Sequence, residues 1–519
     1  MKTLTLTLIP LDERPVNTRY SQMLGAIGGV EILLPPVAIR GLQRVPADRD
    51  AVMDWLQEAA ARSDACLVSC DFLGFGNLIN ARISHDSAAD ILARLRPLAE
   101  INTHCPVHAF SLITRVSNAD DAVEEPEYWA LWGTKFYRYA HLSHQLESGA
   151  LTELDELTAL ENSLPSALKI DWLARRLRNH TVNLGLLDMT VRGQITSLLL
   201  TSDDTGAFGL PSRERDWLRG WPRLIGTALS DRVQMHPGAD EVGSALVAKL
   251  LTRHTGHSPR VWPIYSMSGD EEIVAPYEDR PVRETVIGQL HACGCTLAVS
   301  PDDCDIILGV ATPSPRRTDY NPDFINDDRV TRAGSYRAFL SQLTHWQTIK
   351  PVALADVAYP NGSDPLLTEL LFSENTKFAP GQLCAYGAWN TAGNTLGVVI
   401  AQAVCAGQIG QNSGRTEAQR TFLTHRFLED WGYQSIVRRE ARAEAERLWG
   451  RREPDPASHD EQQALCVFIE TRLSALLETL QSRGIGQDLT VLPGSVHLPW
   501  RRTFEVDFEL IRKDKREKS

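Results

Sequence analysis

Long apolar runs are missing from this 519-residue sequence. No stretch approaches the ~18 consecutive apolar residues that a membrane-spanning helix needs, so no membrane partner is expected. The N-terminal segment MKTLTLTLIPLDERP is interrupted by Asp12, Glu13 and Arg14 before a cleavage-site pattern appears. This arrangement favours a strand over a signal peptide.

An excess of positive charge is also missing. The chain has 53 Lys and Arg against 66 Asp and Glu, a net charge of -13. Proteins that bind nucleic acid by neutralising phosphates usually carry a basic surface, so nucleic acid is not expected as a partner. The 43% apolar and 23% charged residues are typical of a globular protein.

The nine cysteines lack a pairing or zinc-binding pattern. Cys66 with Cys70, and Cys293 with Cys295, have no second pair or histidines at ligand spacing. Most of the cysteines stand in apolar runs, which favours buried free thiols in a reducing cytoplasm and hence a cytoplasmic protein. GxGxxG, P-loop and GxSxG motifs are missing too, so neither a nucleotide cofactor nor a serine nucleophile is expected, and no cofactor is predicted.

The sequence does contain a repeated βα rhythm, in which short β-branched apolar runs alternate with amphipathic stretches. Eight runs read as strands: 3–12, 65–71, 107–113, 195–204, 233–240, 305–311, 352–360 and 383–390. Eight parallel strands buried on both faces predict an α/β fold, a (β/α)8 TIM-like barrel over residues 1–410. The weaker runs 30–36, 261–265 and 295–300 belong then to insertions or to a separate sheet. A doubly wound open sheet in two lobes is the alternative.

Two segments interrupt or follow this rhythm. Residues 118–192 predict a helical insertion, and their aromatics at helical spacing indicate packing more than a ligand site. Residues 411–519 predict a helical appendage that ends in short β structure.

Polar residues collect where the predicted strands end, which is where a barrel carries its active site. The candidate substrate-binding residues are Asp12, Arg14, Asn17, Asp71, Arg115, His236, Asp240, Asp356, Asn361, Asp364, Trp389, Asn390 and Asn394. Acids, amides and an aromatic side chain suit a neutral, hydroxyl-rich ligand with an apolar ring face. A small carbohydrate is therefore the predicted substrate.

The segment TSDDTG places two acids, Asp203 and Asp204, at the end of the fourth run. Neighbouring carboxylates raise one another's proton affinity, so one can act as a general acid while the other stays ionised. Consecutive residues are badly placed to act on opposite faces of a sugar, which favours attack by the substrate's own 2-acetamido group. Asp203 then orients the acetamido group and Asp204 protonates the leaving oxygen. A turn or a helix cap is the plainer interpretation of the same segment.

Other interpretations remain open. His236, Asp240, Asp12 and Asp203 could form a divalent-metal hydrolase or lyase, although Asp240 and Asp364 also suit helix N-caps and no metal is predicted. A non-catalytic carbohydrate-binding barrel is a third possibility. The sequence does not predict the oligomeric state.

The segments PLDERPVN, FSLITRVSN, TSDDTGAFG, HPGADEVG, ADVAYPNGSDPLL, YGAWNTAGNTLG and LPWRRTFEVDF carry a resemblance over nearly the whole chain. They resemble a bacterial family known only as domain of unknown function 4127. A more distant likeness is to the O-GlcNAcase-type β-N-acetylglucosaminidase barrels, which have an Asp-Asp pair after strand four and an Asn-Asp turn later. Asp203 and Asp204 match that pair, and Asn361 with Asp364 matches the turn loosely because the spacing is wider here. The likeness implies a retaining glycosidase for a terminal N-acetylhexosamine.

Overall fold

A computed structural model describes residues 3–150, 154–226, 229, 232–313, 329–408 and 410–513. The chain forms two compact units. The first comprises Met1–Ser21, Glu31–Leu246 and Tyr277–Arg280, and the second comprises Gln22–Val30, Val247–Pro276 and Pro281–Ser519. The units therefore cross the predicted boundary at residue 410.

A six-stranded open sheet forms the centre of the first unit. Its strands are β1 (Leu4–Ile9), β2 (Val30–Leu33), β3 (Ala65–Ser69), β4 (Val107–Ile113), β5 (Ser197–Ser202) and β6 (Val233–Pro237). They lie in the order β2-β1-β3-β4-β5-β6, and each pair from β1 to β6 is parallel. Strands β3 and β4 are buried throughout because helices cover both faces, and this explains their continuous apolar sequences.

Helices connect these strands. They are α1 (Arg19–Gly28), α2 (Arg49–Ala60), α3 (Cys70–Phe75), α4 (Leu78–Ile83), α5 (Ala88–Leu95), α6 (Leu98–Ile101), α7 (Trp129–Glu147), α8 (Asp155–Ser163), α9 (Ser166–Val191) and α10 (Leu210–Ile225), with a 3-10 turn at Val37–Ile39. Local sequence sets several of their starts. Ser87, for example, forms a capping box with Asp90 at the start of α5.

The long connection between β4 and β5 contains α7, α8 and α9. Its aromatic residues pack on one another, as the helical spacing predicted. The Trp129 and Phe136 rings are stacked with centroids 5.2 Å apart, and Trp172 lies 4.9 Å from Phe136. These rings form a small core of their own, so the packing interpretation is confirmed.

A second open sheet forms the centre of the second unit. Its strands are β7 (Arg260–Tyr265), β8 (Thr296–Leu297), β9 (Ile306–Ala311), β10 (Val352–Asp356) and β11 (Ala385–Gly387). They lie in the order β11-β10-β9-β7-β8 and every pair is parallel. The connecting helices are α11 (Val242–Thr255), α12 (Val282–Ala292), α13 (Arg329–Gln347), α14 (Pro365–Leu371) and α15 (Ala392–Ala406), with 3-10 turns at Asp270–Glu272 and Pro380–Gln382.

The C-terminal helices share the core of this second sheet. Helix α16 (Ser413–Arg426) continues into a π-helix (Phe427–Val437) and α17 (Arg438–Trp449), and α18 (His459–Ser482) follows. After α18 come β12 (Leu489–Val491), a 3-10 turn at Pro499–Arg501 and β13 (Leu510–Arg512), which pairs antiparallel with β12. The π-helix residue Phe427 stacks on Tyr386 of β11 with ring centroids 3.8 Å apart. This region is thus part of the unit's core and not a separate appendage.

The predicted (β/α)8 barrel is wrong, because its eight strands divide between two open sheets. The α/β class with parallel strands is confirmed, and so is the alternative of doubly wound sheets. A strand buried on both faces has the same apolar sequence in a barrel as in an open sheet, so the run count could not separate them. The weaker runs at 30–36, 261–265 and 295–300, which were expected in insertions or in a separate sheet, correspond to β2, β7 and β8, of which β7 and β8 belong to the second sheet.

Both sheets have the doubly wound order, in which the chain starts centrally, adds one strand on one side and then crosses to the other. The crossing point lies between β1 and β3 in the first unit and between β7 and β9 in the second. In such folds ligands bind beyond the carboxyl ends of the strands near this point. A ligand site is therefore expected among the loops that follow the strands.

A substitution in β10 tests whether this strand lies in the buried centre of the second sheet. Leu354 lies in its middle and is fully buried in the unit's core, so Leu354→Ala should lower the free energy of unfolding by ~2–5 kcal/mol. Val330→Ala, at a residue that is 86% exposed on α13, should change it by less than ~0.5 kcal/mol. Urea unfolding followed by circular dichroism measures both. Equal midpoints for the two variants would contradict the central position of β10.

Candidate functional site

The loops after β1 and β6 meet in a buried ion-pair group. Arg14 donates to both carboxylate oxygens of Asp12, with Nη2 to Oδ2 at 2.7 Å, and its Nη2 also lies 2.5 Å from Oδ1 of Asp240. Asn17 donates from Nδ2 to Asp12 and Asp240 at 2.9 and 3.0 Å. All four side chains are buried. Because their polar atoms bind one another, the group's clearest role is to join two loops at the carboxyl edge.

His236, at the end of β6, has a different surrounding. Its Nδ1 lies 2.9 Å from the carbonyl oxygen of Pro237 and 3.7 Å from Oε1 of the buried Glu241. Among the residues that the structure describes, no group of three or more His, Cys, Asp or Glu side chains is arranged to hold a metal ion. The metal-dependent alternative, which needed His236 together with Asp12, Asp203 and Asp240, thus has no supporting geometry there.

A second group of charges lies after β3, β4 and β5, and we call it the carboxylate cluster. It consists of two arginines and four acids: Arg82, Arg115, Glu124, Glu125, Asp203 and Asp204. Arg82 binds Asp203 at 2.7 Å and Glu124 at 2.9 Å, and it lies 3.5 Å from Glu125. Arg115 binds Asp204 at 2.8 Å and Glu124 at 3.1 Å. Glu124 thus bridges the two arginines.

The two aspartates of the cluster have different surroundings although they are adjacent. Asp203 directly follows β5, its N–H still bonds to the carbonyl of Ile113 on β4, and its side chain is 10% exposed. Asp204 has a φ of +33°, a left-handed conformation that is unfavourable for residues other than glycine. Its side chain is 29% exposed and meets Arg115 instead of Arg82. The two carboxylates therefore pair with different arginines.

The helix-cap interpretation of these aspartates is wrong. The next helix, α10, begins at Leu210, and the residue at its N-cap position is Gly209. Both carboxylates bind arginines, so neither serves the helix amides. By contrast, the predicted cap at Asp364 is confirmed, because its side chain accepts a bond from the N–H of Leu366 at the start of α14.

Burial changes the proton affinity of several carboxyls near the cluster. Burial and the adjacent charge of Asp203 raise the pKa of Asp204 to about 6, although Arg115 and Arg82 oppose the shift. Burial raises the pKa of Asp71 to about 7, against the N–H of Leu112 that donates to it at 2.9 Å. The carboxyls of Asp71 and Asp204, whose pKa values are raised, thus lie near the carboxylate of Asp203, which is paired with Arg82.

Thr205 follows the aspartate pair and has an unusual hydroxyl. The residue is 4% exposed, and its N–H donates to the carbonyl of Tyr277 at 3.1 Å. Its Oγ1 has no hydrogen-bond partner in the part of the chain that the structure describes. A buried hydroxyl without a partner is costly, so this atom is an unsatisfied polar group beside the aspartate pair.

A comparable group follows β10 in the second unit. The N–H of Asp364 donates to Asp356 at 2.7 Å, and Asp364 also accepts from Arg332 and from the hydroxyl of Tyr336, both at 2.7 Å. Burial and the charge of Asp364 raise the pKa of Asp356 to about 7. Tyr359, nearby, lies under the guanidinium of Arg332 at 5.8 Å. The acids of this group are thus bound mainly to protein atoms.

The loops after β10 and β11 bring the predicted amides together. Asn361 and Asn390 both have a left-handed φ, of 59° and 66°, and the N–H of Asn361 donates to the carbonyl of Asn390 at 3.2 Å. Asn394 donates to Thr391 at 3.2 Å. The buried atoms Asn361 Oδ1 and Trp389 Nε1 have no hydrogen-bond partner among the described residues. These two atoms are the strongest sign of a ligand in this group.

The predicted residues thus do not ring one barrel mouth. Asp12, Arg14, Asn17, Asp71, Arg115, Asp203, Asp204, His236 and Asp240 belong to the first unit, and Asp356, Asn361, Asp364, Trp389, Asn390 and Asn394 belong to the second. One common site was predicted because all eight strands were assigned to one barrel, in which the carboxyl ends of the strands meet at one face. Within each unit the residues do collect at the carboxyl edge, since parallel strands all end there.

Several residues of these groups were missed by the sequence prediction. Glu124 and Glu125 stand in the long β4–β5 connection, away from any strand end, and Arg332 and Tyr336 lie on α13. One signal was available. A buried carboxylate needs a cationic partner. Two adjacent aspartates therefore predict at least one arginine or lysine in addition to Arg115.

Comparison with known proteins identifies the family. The sequence model of the DUF4127 proteins, a family of unknown function, matches residues 6–509, so the chain belongs to this family. No curated protein is a significant match. Among solved structures, a glucose-galactose binding protein from Geobacillus stearothermophilus, GanP, aligns over 79% of this chain and 91% of its own, with 10% identity and a TM-score of 0.16. A likeness of that level carries no weight. In the described part of the chain, none of the helices has the length and apolar character to cross a bilayer.

A substitution at Asp71 tests whether its pKa is raised in the folded protein. Its folded-state pKa of about 7 exceeds its ordinary value of 3.8, so ionisation costs stability as pH rises between these values. Asp71→Asn cannot ionise. Its free energy of unfolding relative to wild type should therefore increase from about pH 4 to about pH 8, by at most ~4 kcal/mol. Urea unfolding across this range measures the difference. Asp54→Asn, an exposed control on α2, should run parallel to wild type, and a parallel Asp71→Asn curve would contradict the shift.

Proposed function

We propose that the protein is a glycoside hydrolase in which Asp204 is the general acid. The observation that carries this proposal is the difference between two adjacent carboxyls. Asp204 has a pKa raised to about 6 and a side chain 29% exposed, whereas Asp203 is nearly buried against Arg82. A carboxyl with a pKa near neutrality is the usual proton donor to the leaving oxygen of a sugar.

Asp203 has the complementary role of the ionised partner. The 2.7 Å pair with Arg82 stabilises its negative charge in a buried position. A fixed negative charge beside the reaction centre stabilises the positive charge that develops at the anomeric carbon and in an oxazolinium-like intermediate. Asp203 also keeps the proton on Asp204, because two adjacent negative charges repel.

The adjacency of the two acids selects among glycosidase mechanisms. Common retaining and inverting enzymes use carboxyls ~5 to ~9.5 Å apart on opposite faces of the sugar. Consecutive residues in one loop do not supply that arrangement. A substrate that carries its own nucleophile, the 2-acetamido oxygen, needs acids on one side only. We therefore propose a terminal N-acetylhexosamine as substrate and retention of configuration.

The charge of the cluster favours a neutral substrate. Four carboxylates face two guanidinium groups, so the cluster has no excess positive charge for a phosphate or a uronic acid. Thr205 offers a buried hydroxyl for a sugar hydroxyl. Both features fit an uncharged sugar better than an anionic one.

Replacement of Asp204 tests the acid. Asp204→Asn should lower kcat/KM by ~10²–10⁴-fold for an alkyl N-acetylglucosaminide, whose poor leaving group needs protonation. The 4-nitrophenyl glycoside should lose much less, because its leaving group departs unprotonated. Product formation gives the two rates, followed by chromatography for the alkyl glycoside and by absorbance for the 4-nitrophenyl glycoside. Asp54→Asn is the control, and equal loss on both substrates, or none, would reject the role of Asp204.

The pH profile gives a second test. Only protonated Asp204 can donate, so kcat/KM for the alkyl glycoside should fall as pH rises above about 6. This decrease of kcat/KM with rising pH, the alkaline limb of the profile, should be missing for Asp204→Asn. Initial rates at constant ionic strength measure this. A limb that persists in the variant would assign the ionisation to another group.

A further inference from the structure

A cavity of about 560 Å3 lies in the second unit, and its lining residues are not members of the groups described above. One wall is β7 with the residues that follow it, from Trp262 to Ser268. The opposite wall is one face of α13, where Ser335, Phe339, Gln342 and Trp346 recur every three or four residues. This size is within the usual range for small-molecule sites, ~300–1,000 Å3.

The cavity runs along β7, which contributes Trp262 to Tyr265, and reaches beyond its carboxyl end, where Ser266 to Ser268 and Glu271 line it. Strand β7 lies between β8 and β9, so it marks the point at which the chain changes direction in the sheet. Ser266 follows β7 and Thr312 follows β9, and their hydroxyl oxygens are 2.8 Å apart. Crevices beyond the carboxyl ends of strands at such a point are the general ligand sites of doubly wound sheets.

The lining combines aromatic rings with neutral polar groups. Trp262, Tyr265 and Trp346 are each half-buried, so part of each side chain remains open. Burial raises the pKa of Tyr265 to about 12, which keeps its hydroxyl protonated at neutral pH. Ser335 and Gln342 add a hydroxyl and an amide from α13. Rings for an apolar face and neutral hydrogen-bonding groups around them are what a sugar ring requires.

The charges disfavour an anion. Among the described residues that line the cavity, Glu271 is the only charged side chain. Lys350, whose Nζ lies 6.0 Å from the Trp346 ring, donates to the carbonyls of Pro301, Asp302 and Cys304. The lysine thus holds the Pro301 wall in place and is bound to protein oxygens.

We infer that this cavity binds the ring of a neutral saccharide. Trp262 and Trp346 supply the stacking surfaces, and Tyr265, Gln342 and Glu271 supply hydrogen bonds. The inference goes beyond the proposed hydrolysis, because the site belongs to the second unit and holds a sugar without cleaving it.

The test places a large side chain in the cavity by substitution of an exposed lining residue, and measures sugar binding. Ala338 is exposed on α13 and lines the cavity, so Ala338→Trp should block it with little cost to folding. Calorimetric titration with free D-glucose and free N-acetyl-D-glucosamine, which have no glycosidic bond to cleave, should show saturable binding to wild type. Ala338→Trp should weaken it about tenfold or more. Ser341→Trp is the matched control, because Ser341 is exposed on the same helix and lines a different depression.

A second variant removes only a polar contact. Gln342 is exposed, so Gln342→Ala should fold normally and should weaken binding about threefold to tenfold. The inference is overturned if neither sugar binds, if Ala338→Trp and Ser341→Trp bind equally, or if choline, tested as an organic cation, is the ligand that Ala338→Trp excludes. Sugar binding sensitive to Ala338→Trp without any hydrolysis would reject the proposed function alone. Hydrolysis without such binding would reject this inference alone.

Discussion

The pairing of buried carboxylates with two arginines is the interaction on which the first unit's carboxyl edge depends. Arg82 comes from α4, and its partners come from the loop after β5 and from the long β4–β5 connection. Loss of one partner in a buried ion pair costs ~3–5 kcal/mol, because the remaining charge cannot regain its hydration. The loops are therefore held in one arrangement by charge balance as much as by apolar packing.

This constraint follows from the fold. In a parallel sheet covered on both faces, a polar side chain along a strand needs a buried partner, as His108 and Ser111 have, so most charged side chains collect where the strands end. The first unit places the Arg14 group and the carboxylate cluster there, and the second places the acids around Asp364. The four side chains of the Arg14 group hydrogen-bond to one another. The carboxylate cluster differs, since the side chains of Asp204 and Arg115 are 29% and 24% exposed.

Sequence patterns predicted the strands well and their assembly poorly. Apolar runs located β3, β4 and β9, because burial on both faces leaves a clear signal. Closure into a barrel depends on which strands pair, and no run of residues encodes that by itself. β8 has only two residues and is exposed, so its weak signal hid the edge of the second sheet.

The site shows the same limit. Polar residues at strand ends, such as Asp203 and Asp364, were predictable because the fold class brings strand ends to one edge. Glu124 was not, because it reaches Arg82 and Arg115 from a connection whose path depends on the packing of α7 and α9. Long-range partners of this kind leave no periodic trace in the sequence. The left-handed φ of Asp204 was likewise hidden, since a glycine is the residue that normally signals it.

That backbone conformation places the two carboxyls of the aspartate pair in one group of charges. In an extended segment, neighbouring side chains point to opposite sides and meet unrelated surroundings. The turn at Asp204 instead leaves both carboxyls within one set of charges, each with its own arginine. The charge of Asp203 then acts on Asp204 directly, and together with burial it raises the pKa of Asp204. A strained residue persists only where its surroundings hold it, and here the pair with Arg115 is part of that hold. Backbone geometry, and not the residue types alone, thus gives two identical side chains different partners and different exposure.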